Sequence, residues 1–114
     1  MSRIKKEKLD VWFMRTPYSD YSENKARPVI IISNDNYNRE LLDFIAVLVT
    51  TRKEHPYAIK ISNSDFSTGG LPEQSIVRFD TVSRYEESLL IRKIGEIKPE
   101  FYGKIYEKIV ELIK

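Results

Sequence analysis

The sequence contains no cysteine, and its 114 residues include no apolar run long enough to span a bilayer. The lack of cysteine excludes disulfide bonds and thiolate metal sites. The basic start, Arg3-Ile4-Lys5-Lys6, is not followed by a hydrophobic region, so it does not have the pattern of a signal peptide. We therefore expect a cytoplasmic protein with no membrane partner.

A strong net charge on the body of the protein is also missing. Residues 1–8 hold four of the nineteen Lys and Arg and one of the seventeen Asp and Glu, a net charge of +3, which leaves −1 for the remainder. We expect residues 1–8 to form a flexible basic tail ahead of a single domain over residues 9–114. A nucleic-acid ligand would then be held by a local patch, since the field of the whole protein is weak.

The most informative stretch is residues 26–33, in which four β-branched residues, Val29 to Ile32, follow Arg27 and Pro28. A short apolar run bounded in this way predicts a central strand buried on both faces. Pro28 cannot donate to a ladder and is expected at the first position of the strand. Arg27 then lies at the rim of the core, where a fixed guanidinium suits an anionic ligand.

The other apolar segments predict a mainly β (α+β) fold of five or six short strands, curved into a small antiparallel sheet or barrel. A C-terminal helix begins near Pro99, because Phe101, Ile105, Ile109 and Leu112 recur at helical spacing and would pack on the barrel. The further strands are expected over residues 9–14, 44–51, 57–61, 75–80 and 89–97, with a helical turn near 38–42 and a bend at Gly95.

Several segments together resemble the MazF/PemK (Kid) toxin family. The residues that carry the resemblance run in the same order as the family's blocks from about residue 9 to 112. They are Asp10-Val11-Trp12-Phe13, Ser22-Glu23-Asn24-Lys25-Ala26-Arg27-Pro28-Val29, Val49-Thr50, Gly70-Leu71, Ser75-Ile76-Val77, Asp80 and Lys93-Ile94-Gly95. The sequence departs from the family at Leu9, where a glycine is usual, and in a loop before Arg27 that is one residue shorter.

The resemblance implies the toxin of a type II toxin–antitoxin system on an SH3-like antiparallel barrel with a C-terminal helix. It implies a homodimer that cleaves single-stranded mRNA without a metal or other cofactor, is neutralised by a cognate antitoxin protein, and binds DNA together with that antitoxin.

By position, Arg27 and Thr50 match the family's core catalytic pair. Two further catalytic candidates follow from the resemblance. Asp80, with Arg78, matches an Arg-x-Asp pair that acts in one branch of the family, and Glu23 matches the family's acidic residue in the loop before Arg27. The residues expected to contact RNA are Tyr18, Tyr21, Lys25, Thr51, Arg52 and Arg78.

Each of these residues also has a purely structural interpretation. Arg78 and Asp80 share one strand face and could form a surface ion pair, and Thr50 could be an ordinary strand residue. Arg27 could cap a turn or pair with Glu23. Tyr18 and Tyr21 could stack on bases or pack back on the barrel. His55 is expected to be a loop residue without a catalytic role.

The chemistry itself favours these residue types. Metal-free cleavage uses the ribose 2′-OH as nucleophile and leaves a 2′,3′-cyclic phosphate and a 5′-OH. A guanidinium offers a planar donor fork to phosphate oxygens, and it remains charged, so Arg27 acts first by electrostatic stabilisation. Asp80 or Glu23 could act as the base only if burial raises the carboxyl pKa.

Two other functions stay open on the sequence. A same-fold toxin could bind DNA gyrase without being an enzyme, although the related gyrase poison ends in Trp-Gly-Ile and this chain ends in Glu-Leu-Ile-Lys. A degenerate barrel could bind RNA or a partner without cleaving anything.

Overall fold

A computed structural model describes residues 3–16 and 26–114. This part of the chain forms seven strands and two α-helices, with two short 3-10 turns at Asn63–Asp65 and Glu87–Leu89. The strands are β1 (Asp10–Arg15), β2 (Ala26–Ile31), β3 (Asp43–Thr50), β4 (Ala58–Ile61), β5 (Phe66–Gly69), β6 (Ser75–Glu86) and β7 (Leu90–Ile97), and the helices are α1 (Asp35–Glu40) and α2 (Pro99–Ile113).

The strands form one antiparallel sheet in the order β4-β6-β3-β2-β1-β7-β5, curled into a half-barrel. The twelve-residue β6 pairs with both β3 and β4, and a register shift lies between Ala46 and Leu48 opposite it. Irregularities of this kind increase the local twist of a sheet. The mainly β fold with a C-terminal helix is confirmed.

The apolar run in β2 is buried on both faces, as predicted, with Val29, Ile30 and Ile31 all at 0% exposure. The strand begins at Ala26, so the prediction that Pro28 occupies its first position is wrong. β2 pairs with β1 from Ala26 onward, whereas its ladder with β3 begins only at Val29. The missing N–H of Pro28 is tolerated there because the β3 ladder has not yet started.

Alternate residues of β2 supply two separate hydrophobic cores. The first core lies under α2, which contributes Phe101 and Ile105, and the Tyr102 hydroxyl donates to the Ile32 carbonyl at 3.0 Å. The second core covers the opposite face of the sheet. The first core contains Val11, Ile30, Val47, Val49, Ile61, Phe66, Leu71, Val77, Phe79, Ile97, Phe101 and Ile105. The second contains Met14, Val29, Ile31, Phe44, Ala46, Tyr85 and Leu90.

Residues 3–8 form a bound segment, and the expectation of a flexible tail is wrong for them. Lys6 is 2% exposed, and its Nζ donates to Glu87 Oε1 at 2.6 Å and to the Asn38 carbonyl at 2.8 Å. Ile4 packs against the second core, and its N–H donates to Glu87 Oε2 at 3.2 Å. A buried ammonium is tolerated here because a carboxylate and backbone carbonyls surround it.

Smaller differences from the predicted elements have local causes. β5 was not predicted, because only Phe66 of its four residues is buried and apolar. The short helix α1 begins earlier than predicted, at Asp35, because the Asn34 side chain caps it by accepting from the Tyr37 N–H at 2.9 Å. Leu9, at the family's glycine position, has a φ of 85°, in the left-handed region that favours glycine.

Within the two described stretches, the structure contains no helix that is both long enough and apolar enough to cross a membrane.

Candidate active site

Arg27 and Thr50 lie at adjoining ends of two neighbouring strands. The antiparallel ladder between β2 and β3 ends at the pair of Val29 and Leu48, and Arg27 and Thr50 each lie two residues beyond that pair, at the same end of the ladder. Residues two apart share a strand face, so both side chains project from the same side of the sheet.

The two residues also line one cavity, of about 340 Å³, where the strands β2 and β3 meet the loop before β6. Arg27 is exposed there and Thr50 is half-buried, so a ligand in the cavity can reach both. The apolar side of this cavity comes from Phe13, Pro28, Val49, Leu71 and Pro72, and its polar side also includes Thr51, Glu73 and Ser75.

A second cavity of about 720 Å³ adjoins the first, and the two have Thr51, Glu73 and Ser75 in common. Thr51 and Arg52, two of the residues predicted to contact RNA, lie on its wall. Thr51 and Arg52 begin the loop that follows β3. This loop is tied to the end of the strand, because the Thr50 hydroxyl accepts from the Arg52 N–H at 3.4 Å. The other lining residues are Lys53, Glu54, Lys60, Ile61, Ser62, Asp65, Gln74 and Ile76.

Arg78 and Asp80 form a two-point ion pair on β6. Nε and Nη2 of Arg78 donate to the two carboxylate oxygens of Asp80, each at 2.8 Å. This pairing lowers the pKa of Asp80 and raises the pKa of Arg78. Arg78 lies opposite Leu48, which is two residues before Thr50 on β3. Neither Arg78 nor Asp80 lines either of the two cavities.

Side chains around the pair hold β6 and the loop after β3 in place. The Thr81 hydroxyl accepts from the Leu48 N–H at 2.8 Å and donates to the Arg78 carbonyl at 2.7 Å, at the register shift. His55 Nδ1 accepts from the Tyr57 N–H at 3.0 Å, and Tyr57 packs edge-on against Phe79. The His55 ring lies 6.4 Å from the Tyr57 ring, so the loop histidine is linked through Tyr57 to β6.

Four of the predicted site residues, Tyr18, Tyr21, Glu23 and Lys25, lie outside the described residues. Their assignment to catalysis or RNA contact stays a prediction. Among residues 3–16 and 26–114, no group of three or more His, Asp or Glu side chains is placed to hold a metal ion.

Sequence reasoning missed Glu73 and Lys60. Gly69-Gly70 and Pro72, which precede Glu73, predict a turn and nothing more. Lys60 was interpreted as the exposed residue of an alternating strand, and only the pairing of β4 with β6 shows which neighbours it has. The available signal for Glu73 is an acidic residue two positions before Ser75, the polar start of a buried strand.

The chain is similar to known toxins in sequence pattern and in structure. The family model described as the PemK-like, MazF-like toxin of type II toxin–antitoxin systems matches residues 7–113. No curated protein sequence matches the chain at a significant level.

Three solved structures illustrate the similarity of fold. An endoribonuclease from a mycobacterial species, in complex with its cognate antitoxin, superposes with a TM-score of 0.74 at 24% identity, covering 96% of this chain and 93% of that chain. MazF from Deinococcus radiodurans superposes with a TM-score of 0.72 at 19% identity, covering 96% of this chain and 97% of that chain. The Mycobacterium tuberculosis toxin MazF-mt6 gives 0.70 at 19% identity, with 91% and 95% covered.

Proposed function

Because the chain belongs to the PemK-like, MazF-like family of type II toxin–antitoxin toxins, we propose that it is an endoribonuclease that cleaves single-stranded mRNA in the cytoplasm. The observation that carries this proposal is the presence of Arg27 and Thr50 on one cavity, at adjoining ends of β2 and β3. The solved endoribonuclease of the same fold supports it.

In the proposed reaction, the ribose 2′-OH attacks the adjacent phosphorus and the bond to the 5′-oxygen breaks. The products are a 2′,3′-cyclic phosphate and a 5′-OH end, and no metal takes part. Arg27 donates from its planar fork to the phosphorane oxygens, and the Thr50 hydroxyl adds one further donor. Both groups act on charge that develops in the transition state, inside a groove from which RNA excludes water.

The proton of the 2′-OH needs an acceptor. Asp80 was a candidate on the condition that burial raises its pKa, but Arg78 lowers the pKa of Asp80 instead. We therefore assign the Arg78–Asp80 pair to RNA contact, with Asp80 orienting the Arg78 guanidinium toward a phosphate. Glu23, in the loop before Arg27, remains the proposed base.

The proposed partners are single-stranded RNA, a cognate antitoxin and a second copy of the chain. A homodimer brings two such cavities to one groove, in which RNA lies with its bases unstacked and readable. Three MazE–MazF complexes from Deinococcus radiodurans share the fold, at TM-scores of 0.70, 0.71 and 0.73. An acidic antitoxin segment that occupies the same groove would displace RNA.

The test is cleavage of one long defined single-stranded transcript by the purified protein in the presence of EDTA. We expect cleaved products with 2′,3′-cyclic phosphate and 5′-OH ends, and no cleavage where the attacking ribose is replaced by deoxyribose. Arg27→Ala is expected to lower the cleavage rate at least about 100-fold, as the loss of a transition-state donor does.

Arg39→Ala is the matched control, because Arg39 is an exposed arginine on α1 that bonds to Asn36 Oδ1 and does not line either of the two cavities. Equal activity of both variants, or intact RNA with the unaltered protein, would contradict the proposal. Inhibition of gyrase supercoiling without RNA cleavage would instead support the gyrase-binding alternative.

A further inference from the structure

Glu73 stands on the boundary between the two cavities, since it lines both of them. Its side chain is exposed, and among the described residues its carboxylate makes no ion pair and no hydrogen bond. Two nearby acids, Asp80 and Asp65, differ in this respect. Asp80 is paired with Arg78, and Asp65 accepts the N–H of Ser62 at 2.9 Å. Within residues 3–16 and 26–114, Glu73 is therefore an acceptor without a partner, and it is the acid that lines both cavities.

The loop that carries Glu73 is held in place. The hydroxyl of Ser75, a buried residue, donates to the Glu73 carbonyl at 2.9 Å, and Pro72 fixes the backbone on the other side. The main chain at Glu73 is thus positioned before RNA binds, which reduces the entropy lost when the carboxylate makes a contact.

Cations lie on both sides of this carboxylate. Thr50 pairs with Ile76 of β6 and Ile76 pairs with Lys60 of β4, so Arg27, Thr50 and Lys60 lie on one line across four adjacent strands. With strands about 4.8 Å apart, the path along the curled sheet from Lys60 to Arg27 is about 14 Å long. A polynucleotide along this line would have phosphates near Arg27 and near Lys60, with Glu73 beside the nucleotide between them.

A carboxylate in that place repels phosphate but accepts hydrogen bonds from the N–H groups of a base. Guanine offers N1–H and its amino group side by side, and cytosine and adenine each offer one amino group. Uracil has no amino group, and its N3–H lies between two carbonyl oxygens that a carboxylate repels. The chemistry of Glu73 thus favours an amino-bearing base over uracil.

We propose that Glu73 is a specificity-determining residue, which accepts hydrogen bonds from the amino-bearing base of a nucleotide next to the scissile phosphate. This inference rests on the proposed endoribonuclease function. It adds a hydrogen bond that recognises a base, whereas the roles proposed for Arg27 and Thr50 concern only the phosphate.

The test compares the full-length protein with Glu73→Gln on a pool of single-stranded RNAs with a randomised segment, by sequencing the cleaved ends. The unaltered protein is expected to disfavour uracil at one position flanking the cleaved bond. In Glu73→Gln this discrimination is expected to fall about tenfold, because the amide can donate to the uracil O4 and no longer repels it.

Glu54→Gln is the matched control, since Glu54 lines the larger cavity but not the shared boundary. It is expected to leave the base preference unchanged. A second measurement needs no variant: with the unaltered protein, inosine in place of guanosine, or purine riboside in place of adenosine, is expected to slow cleavage about tenfold at that position alone.

Cleavage by Glu73→Gln with an unchanged preference would overturn the inference and leave the proposed function standing. An equal shift in Glu54→Gln would also overturn it, because general charge would then explain the effect. Absence of cleavage by the unaltered protein would overturn both the inference and the proposed function.

Discussion

Replacement of Lys6 by methionine is expected to destabilise the fold strongly, although Lys6 belongs to the most basic part of the sequence. Methionine keeps an unbranched apolar chain but removes the three donors of the ammonium. The side chains of Lys6 and Glu87 are 0% and 9% exposed, and their charged atoms are 2.6 Å apart. The variant would leave the Glu87 carboxylate buried with only the Ile4 N–H as a partner from this segment.

Removing one partner of a buried ion pair costs about 3–5 kcal/mol, because the other charge is left uncompensated. That loss is a large share of a total stability of about 5–15 kcal/mol. For a domain of this size it corresponds to a fall in the thermal midpoint on the order of 10–20 °C. Two backbone carbonyls, of Asn38 and Leu41, lose the Lys6 donor at the same time and, among the described residues, keep only Arg3 Nη2.

Urea unfolding at fixed protein concentration measures the effect, with concentration held constant because a dimer's stability depends on it. Lys5→Met is the control, since Lys5 is exposed and its loss should change stability by no more than about 0.5 kcal/mol. Lys6→Met combined with Glu87→Gln should recover part of the loss, because no buried charge then remains. A Lys6→Met protein within about 1 kcal/mol of the parent would refute the reasoning.

Two further predictions concern backbone strain and pH. Because Leu9 has a left-handed φ of 85°, Leu9→Gly is expected to be more stable than Leu9→Ala by about 1 kcal/mol in urea unfolding, the reverse of their usual order; the opposite ranking would show that the strain is not released. Because Arg78 lowers the pKa of Asp80 in the folded state, the parent should exceed Asp80→Asn by up to about 1 kcal/mol at neutral pH. The difference should shrink as the pH falls below about 4, the ordinary pKa of an aspartate, and vanish once the pH is below the lowered pKa of folded Asp80; a gap that persists there would contradict an ionic origin.

The features that the sequence predicted are those set by local pattern. The β-branched run of β2 and the alternation of Val77 and Phe79 with Arg78 and Asp80 each specify a face, and the structure has these faces. Two consecutive apolar strands in an antiparallel sheet bring the start of one near the end of the next. The juxtaposition of Arg27 and Thr50 follows from that rule together with the resemblance.

The features that the sequence did not predict depend on partners far away along the chain. The basic residues around Lys6 predict a solvated segment. Lys6 is buried because it pairs with Glu87, which lies 81 residues later in the chain. β5 carries little apolar pattern and exists because β7 provides a ladder for it. Glu73 stands in an ordinary turn, and only the packing of two cavities around it shows its position.

Because β2 supplies both hydrophobic cores and also carries Arg27 at its beginning, substitutions that harm folding and substitutions that harm the proposed catalysis fall in one six-residue segment. Genetic screens for cells that survive expression of a toxic chain should therefore recover many substitutions at Val29, Ile30 and Ile31. Such survivors would mark the strand as sensitive without identifying any residue that touches RNA. Measuring the amount of folded protein in each survivor separates the two kinds of defect.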